Sequence, residues 1–297
     1  MMQRRSFIKG SFAFCAAPFV GGCITSREDI VSFAMFNDSH ENLDTLRILS
    51  SHAKRKYDFS VLAGDIVDDV RSLGSIRRLL ISPMNDLSKR LSAEVHLVRG
   101  NHETRGELAQ SLWRELGLRS DRYYFAKTYG RVRCVFLDTC ENRTSERIIS
   151  EGRQPFDEYL AKEKLWLEHE ISSAAWKEAD ARIVFMHIPP PVRNVDSTSY
   201  DRVKVLHSTR AKPVLDLQDC LLKSGVNAVF AGHTHMGSFD SPTSERLYPV
   251  IVGGGSRVDR VYPTEPLLTE CQIGSSEFVV RQISLSGDVR REERFQI

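Results

Sequence analysis

Short apolar runs alternate along the chain with amphipathic stretches, and most of the apolar runs stop at a polar turn. Val31–Phe36 (VSFAMF) predicts a buried strand, closed by the turn NDSHEN. Leu43, Leu46, Leu49 and Ala53 recur at helical spacing and predict a helix over 43–55. Phe59–Ala63 predicts a strand running straight into GDIVDD, and Glu94–Val98 a third running into RGNHE. Residues 123–125 and 132–137 read as a hairpin about Tyr129 and Gly130. Residues 161–175 read as a helix with Leu160, Leu167, Ile171 and Ala174 on one face. A strand over 183–186 ends at His187, and another over Ala228–Ala231 ends at GHTH. Beyond Tyr248, the segments YPVIVGG and EFVVRQISL are strand-rich and predict completion of a second sheet. The chain shows no internal repeat and no low-complexity tract. Strands interleaved with helices give the α/β class, in which loops beyond the strand ends converge on one crevice. Five polar motifs at five strand tips are therefore expected to meet.

Composition narrows this picture. With 297 residues and 41% hydrophobic content the chain has material for a substantial core, which excludes disorder for the bulk of it. A formal net charge of +2 lacks the basic footprint of a dedicated nucleic-acid binder, so nucleic acid enters only as a substrate and no stable nucleic-acid partner is expected. The first 23 residues differ from the rest: Arg4, Arg5 and Lys9 open them, residues 12–20 are apolar, and no acidic residue occurs. This is the grammar of an export signal, too short to stay as a bilayer span. QRRSFIKG resembles the twin-arginine signal, with Phe7 and Lys9 in the aromatic and basic places and Gln3 where Ser or Thr is usual.

Val20, Gly21, Gly22 and Cys23 resemble a lipobox, set against an ordinary small-residue cleavage site. The expectation is an export signal over 1–23 and one catalytic domain over 30–297. The protein would be periplasmic or in the cell envelope, tied to membrane only through lipid at Cys23. Losing residues 1–22 removes three bases and no acid, leaving a nearly neutral protein. Cys134, Cys140, Cys220 and Cys271 fit neither a zinc knuckle nor a CxxC pair; disulfides and small buried hydrophobes both stay open for them.

The candidate chemistry lies in the strand-tip motifs. Asp38-Ser39-His40 alone is weak, because a DxH triplet turns up by chance in about half of chains this long. Gly232-His233-Thr234-His235 and Gly100-Asn101-His102-Glu103 are much rarer by chance, and their joint placement after strands makes coincidence a poor explanation. Carboxylate and amide oxygens mixed with imidazole nitrogens suit Mn, Fe or Zn and are poor for Ca or for a thiolate-bound metal. Two divalent cations close together need a bridging anion, and Asp65 is the natural candidate.

The ordered set DSH, GDIVD, GNHE, MHIPP and GHTH resembles the signature of the calcineurin-like metallophosphoesterases and spans Asp38 to His235. The resemblance implies a four-layer α-β-β-α sandwich of two mixed sheets flanked by helices. It implies two divalent metal ions, one held by Asp38, His40, Asp65 and His235 and the other by Asp65, Asn101, His187 and His233. His102 would be left to act on a small phosphate-ester substrate as general acid. DRYYFAKTYGRVRCVFLDT and the EKLWLEHEI helix also look similar to the branch that includes purple acid phosphatases. That branch carries an iron-binding tyrosine in its second motif, where this chain has Asp68 and Asp69 after Asp65. The phosphodiesterase-like members are the nearer comparison, and a purple iron site is not expected.

Asp68, Asp69, Glu103 and Asp138 are candidates to orient the ligand histidines through their second nitrogen, against the plainer reading of loop carboxylates in water. His52, His96, His169 and His207 fall outside the motifs. His52 and His169 lie on predicted helices and read as surface or satisfied core residues, while His207 sits in a loop that could overhang the site. Arg143, Arg147 and Arg193 stand in polar loops that could grip a phosphate or simply be solvated. Gly253, Gly254 and Gly255 lack the helix and Lys-Ser/Thr of a phosphate loop and read as a flexible turn. A non-catalytic binding or scaffold protein of the same fold predicts damaged ligand positions, and none of the seven is damaged. A nuclease or nucleotidase is the alternative within enzymes.

Overall fold

The structure is a computed structural model that describes residues 30–139, 157–190, 212–256 and 264–297. The export signal, the lipobox at Cys23, Cys140, Arg143, Arg147, Arg193 and His207 lie outside these residues. Twelve strands form two six-stranded sheets. The first orders β12 (Val289–Gln296), β11 (Glu277–Ile283), β10 (Leu268–Ile273), β1 (Val31–Phe36), β2 (Phe59–Ala63) and β3 (Glu94–Val98). The second orders β4 (Phe125–Tyr129), β5 (Val132–Phe136), β6 (Ala181–Phe185), β7 (Ala228–Ala231), β9 (Val250–Val252) and β8 (Ser238–Asp240).

The strands that carry the motifs, β1-β2-β3 and β5-β6-β7-β9, run parallel, while β10, β11, β12, β4 and β8 are antiparallel to their neighbours. Parallel strands need both faces covered, which their continuous apolar sequences allow. Phe33, Phe59, Phe136, Phe185, Phe230 and Phe278 fill the space between the sheets. The outer face of the first sheet packs on α1 (Leu43–His52), α2 (Leu73–Ile76), α3 (Ser82–Leu91) and α4 (Leu112–Glu115). The outer face of the second packs on α5 (Asp157–Ser172), α6 (Ala174–Lys177) and α7 (Lys212–Leu221). The result is the expected four-layer α-β-β-α sandwich.

Several elements differ from their sequence reading. Helix α1, whose N-cap Asn42 accepts from Thr45 N at 3.1 Å, ends at His52 rather than at residue 55. The chain must turn there to bring Tyr57 and Phe59 into the core, and His52 Nε2 bonds Leu285 O at 2.8 Å. The helix expected over 161–175 spans Asp157–Ser172. Ser173 then caps α6 by accepting from Trp176 N at 3.2 Å. Residues 73–91, which carry no clear period, form a helical stretch with a π turn at Arg77–Ile81 just before Pro83, whose missing N–H interrupts the ordinary ladder. The C-terminal strands do not complete one sheet. Only β8 and β9 join the second, whereas β10 to β12 extend the first, because β1 needs a partner on its other edge and pairs with β10 from Val31↔Ile273 to Met35↔Thr269.

Candidate metal centre

Each motif follows the end of a parallel strand: Asp38 and His40 after β1, Asp65 after β2, Asn101 and His102 after β3, His187 after β6, His233 and His235 after β7. The tips of the two sheets face one crevice, and backbone hydrogen bonds lock the loops together. Asp38 N donates to Gly64 O (2.9 Å), His40 N to Asp65 O (3.0 Å), Gly232 N to His187 O (3.0 Å), Gly255 N to His235 O (3.1 Å) and Ser256 N to Asp38 O (2.9 Å). Asp38, His40, Asp65, His233 and His235 have φ of 49°, 46°, 53°, 71° and 61°, so among the described residues five of the seven non-glycine residues with positive φ belong to the candidate ligands. Such backbone costs about 1–3 kcal/mol per residue and persists only where the surroundings over-determine it.

Glycines make the close approach workable. A side chain at Gly64 would meet the His187 ring and the Gly100 backbone, and one at Gly232 would meet Asp38. Gly253 and Gly255 press on Asn37, Asp38 and His235. The triple glycine is thus a packed wall of the site, not the flexible turn its sequence suggested.

The polar groups divide their lone pairs in a consistent way. Asp38 Oδ2 accepts from Asn37 Nδ2 and His233 N, both at 2.7 Å, while buried Oδ1 faces His235 Nε2 at 3.3 Å. Asp65 Oδ1 accepts from His102 N at 2.8 Å, leaving Oδ2 toward His187 Nε2 at 3.2 Å and toward His40 and His102 Nε2 at 3.9 Å. His187 Nδ1 donates to Ala63 O at 2.8 Å. Its Nε2 is therefore a lone pair in the neutral ring, yet its neighbours are Asp65 Oδ2, Asn101 Oδ1 at 3.2 Å and His233 Nδ1 at 3.3 Å. His40 repeats the pattern, with Nδ1 held by Asp68 Oδ1 at 2.7 Å and Nε2 only 3.1 Å from His235 Nε2. With the rings neutral these acceptors crowd on one another, which a proton on His187 relieves in the protein alone and a bound cation would relieve in its place; the donor set fits a divalent metal of borderline softness.

Three overlapping groups could hold an ion: Asp38, His40 and His235; His40, Asp65 and His102; Asp65, His187 and His233. Burial alone would raise the Asp38 and Asp65 carboxyls, but the neighbouring histidines hold both below the usual carboxylate range. Burial would lower His187, but the adjacent Asp65 lifts it to about 10; His233, buried and beside His187, falls to about 3. One buried pair therefore carries opposite charges in the protein alone.

His102 donates from Nδ1 to Asp68 O at 2.7 Å, which turns Nε2 toward the crevice. Burial lowers its pKa, Asp65 opposing and Arg105 adding to the effect. The structure sorts the four orienting candidates. Asp68 alone holds ring nitrogens, through its carboxylate to His40 and its carbonyl to His102. Glu103 instead accepts from the backbone N–H of Asp65, Ile66, Val67 and Gly100 at 2.7–3.2 Å and clasps two motif loops together. Asp138 pairs with Arg99 at 2.5 Å and Asp69 with Arg71 at 2.5 Å, so neither supports a ligand histidine. His96 lies at the sheet edges against Phe59, Phe125 and Phe136, far from this chemistry. Two residues went unremarked in the sequence: Asn37, which holds Asp38 and Gly254 O, and Arg105, whose Nη1 lies 3.1 Å from His102 Nε2. Their place inside the motifs, next to Asp38 and three residues after His102, was the available signal.

No curated protein sequence matches the chain. Among solved structures, a dimetal phosphatase of Danio rerio has a TM-score of 0.59 and 16% identity, over 90% of this chain and 98% of that one. GAP50, the anchor in the inner membrane complex of Plasmodium, has a TM-score of 0.61 and 16% identity, over 90% and 89%. PhoD has 0.58 and 12%, over 90% and 68%. At these identities the likeness is one of fold. Residues 31–237 match the family model described as calcineurin-like phosphoesterase, and they include every strand-tip motif that closes this crevice. The chain therefore belongs to the calcineurin-like phosphoesterase family.

Proposed function

We propose that the protein is a dinuclear metal-dependent phosphoric ester hydrolase, with Asp38, His40, Asp65 and His235 holding one ion and Asp65, Asn101, His187 and His233 the other. The observation that carries this is the lone-pair arrangement: Asp38, Asp65, His40 and His187 each spend one polar atom on a partner outside the cluster and turn the other toward it, where Asn101 Oδ1, His233 Nδ1 and His235 Nε2 also converge. Asp65, whose Oδ2 is reached by both halves of the cluster, would hold both ions. Two divalent cations there would polarise the phosphoryl group and lower the pKa of an attacking water.

The chain's own residues do the rest. Asn37 and the His233 amide fix Asp38, Asp68 fixes His40, and Ala63 O fixes His187, so that the ligand atoms need little rearrangement. His102, whose Nε2 lies 3.9 Å from Asp65 Oδ2, would deliver a proton from Nε2 to the leaving oxygen in its imidazolium form, with Nδ1 still donating to Asp68 O. Export and a lipid at Cys23 complete the proposal; mass spectrometry of the mature N-terminus tests both.

Full-length protein reconstituted with Mn, Fe or Zn should hydrolyse p-nitrophenyl phosphate or bis-p-nitrophenyl phosphate. Asp65→Asn should lose bound metal, read by elemental analysis, together with at least about a thousandfold of the rate. His102→Ala should keep the metal and slow an alkyl ester far more than a nitrophenyl one, which needs little protonation. Equal rates on the alkyl ester would rule out His102 as the acid.

A further inference from the structure

Arg105 has no role in the reading above, yet its placement is built rather than incidental. Its own N–H donates to His102 O at 3.1 Å, and its carbonyl accepts from Val70 N at 2.8 Å. Leu108 N returns to Val70 O at 2.9 Å, and Gly106, at φ 93°, sits so close to Val70 that a side chain there would strike the backbone. The loop after Asn101 is thereby riveted to the loop after Asp65. This brings the guanidinium to the edge of the His102 ring, with Nη1 3.1 Å from Nε2 and 3.4 Å from Nδ1. The same Nε2 looks onto Asp65 Oδ2 at 3.9 Å, and the His102 ring stands edge-on to His40 at 4.7 Å. A cation is thus held one imidazole away from the centre of the donor cluster.

The chemistry of the two ester classes differs at this spot. A phosphomonoester carries about −1.5 to −2 charges near neutral pH and three non-bridging oxygens, whereas a diester has one charge and two. Two metal ions held by the donor cluster would take two of those oxygens. A third anionic oxygen needs a donor from the protein, and guanidinium is the side chain that meets phosphate oxygens with directed N–H groups and permanent charge. Resting on the phosphoesterase reading, we infer that Arg105 binds the third phosphoryl oxygen of the substrate, beside His102, and selects a phosphomonoester over a diester.

The test uses full-length, metal-loaded protein and the variants Arg105→Ala and Arg105→Lys, with metal content checked in each. Calorimetric binding of inorganic phosphate should weaken about 10- to 100-fold in Arg105→Ala, and by less in Arg105→Lys, which keeps the charge but loses the fork. The ratio of kcat/KM for p-nitrophenyl phosphate over bis-p-nitrophenyl phosphate should fall about tenfold or more in Arg105→Ala. Unchanged phosphate affinity, or equal losses on the two esters, would overturn the assignment. If Arg105→Ala fails to fold, Arg105→Lys carries the same comparison. A parent that binds phosphate through Arg105 yet cleaves neither ester would remove the hydrolase reading and leave this site standing.

Discussion

At the scale of single residues, the proposed ligands stood out in the sequence and the positions that hold them did not. Asp38, His40, Asp65, Asn101, His187, His233 and His235 were legible as candidates because metal ligation restricts residue type and their motifs follow strands. The left-handed backbone at five of them was not, since Asp and His adopt it only when the surrounding loops enforce it. Glu103 is the most demanding of the supports. Its carboxylate accepts four backbone N–H groups while burial, aided by the charge of Asp65, pushes its pKa up to about 7. Glu103→Gln replaces one accepting oxygen by a donor facing N–H groups, so unfolding in urea should show a loss of about 1–3 kcal/mol. Metal affinity should weaken with it, because the Asp65 and Asn101 loops share that clasp.

At the scale of elements, the parallel strands were read almost to the residue, because a strand buried on both faces is a continuous apolar run ended by a polar turn. Helical residues 73–91 were missed for the opposite reason: Gly74, Pro83 and a cluster of serines break the period along the side that Ile76, Leu79, Leu80, Leu87 and Leu91 bury. The edges where β3 and β4 meet supply a pH-sensitive contact. His96 packs among Phe59, Phe125 and Phe136 and hydrogen-bonds the Tyr129 hydroxyl, which in turn meets Glu94.

Burial lowers the His96 pKa to about 4, Glu94 opposing and Lys127 adding. A base whose folded pKa lies below its unfolded value of about 6.5 favours folding only while neutral. The contribution is fully present above pH 6.5 and is lost as the pH falls from there to about 4. The loss should amount to roughly 3 kcal/mol. Denaturant titrations of parent and His96→Gln across that interval check it: the variant should show a flatter profile.

For the whole molecule, the four-layer arrangement followed from the family resemblance rather than from the alternating pattern, which gave only the α/β class. The sequence reading assigned all the late strands to one sheet because strand propensity carries no information about which edge a strand joins. If the cluster holds ions in the folded state only, saturating metal at a hundred times its dissociation constant adds about 2.7 kcal/mol for each ion. Chelation should then lower Tm by about 5 °C for each ion removed, read by calorimetry with and without EDTA. An unchanged Tm would mean that metal leaves the fold indifferent.

The family match ends at residue 237, yet β1 lies between β2 and β10, and Gly255 and Ser256 bond His235 and Asp38. The first of the described strands is thus flanked on one side by a strand that follows it by more than two hundred residues. A nascent chain still short of residue 268 has an open apolar edge along β1, and should remain protease-sensitive on a stalled ribosome. Only when that late strand emerges is the second edge of β1 covered, so the first sheet closes later than the second, whose strands all lie before residue 253.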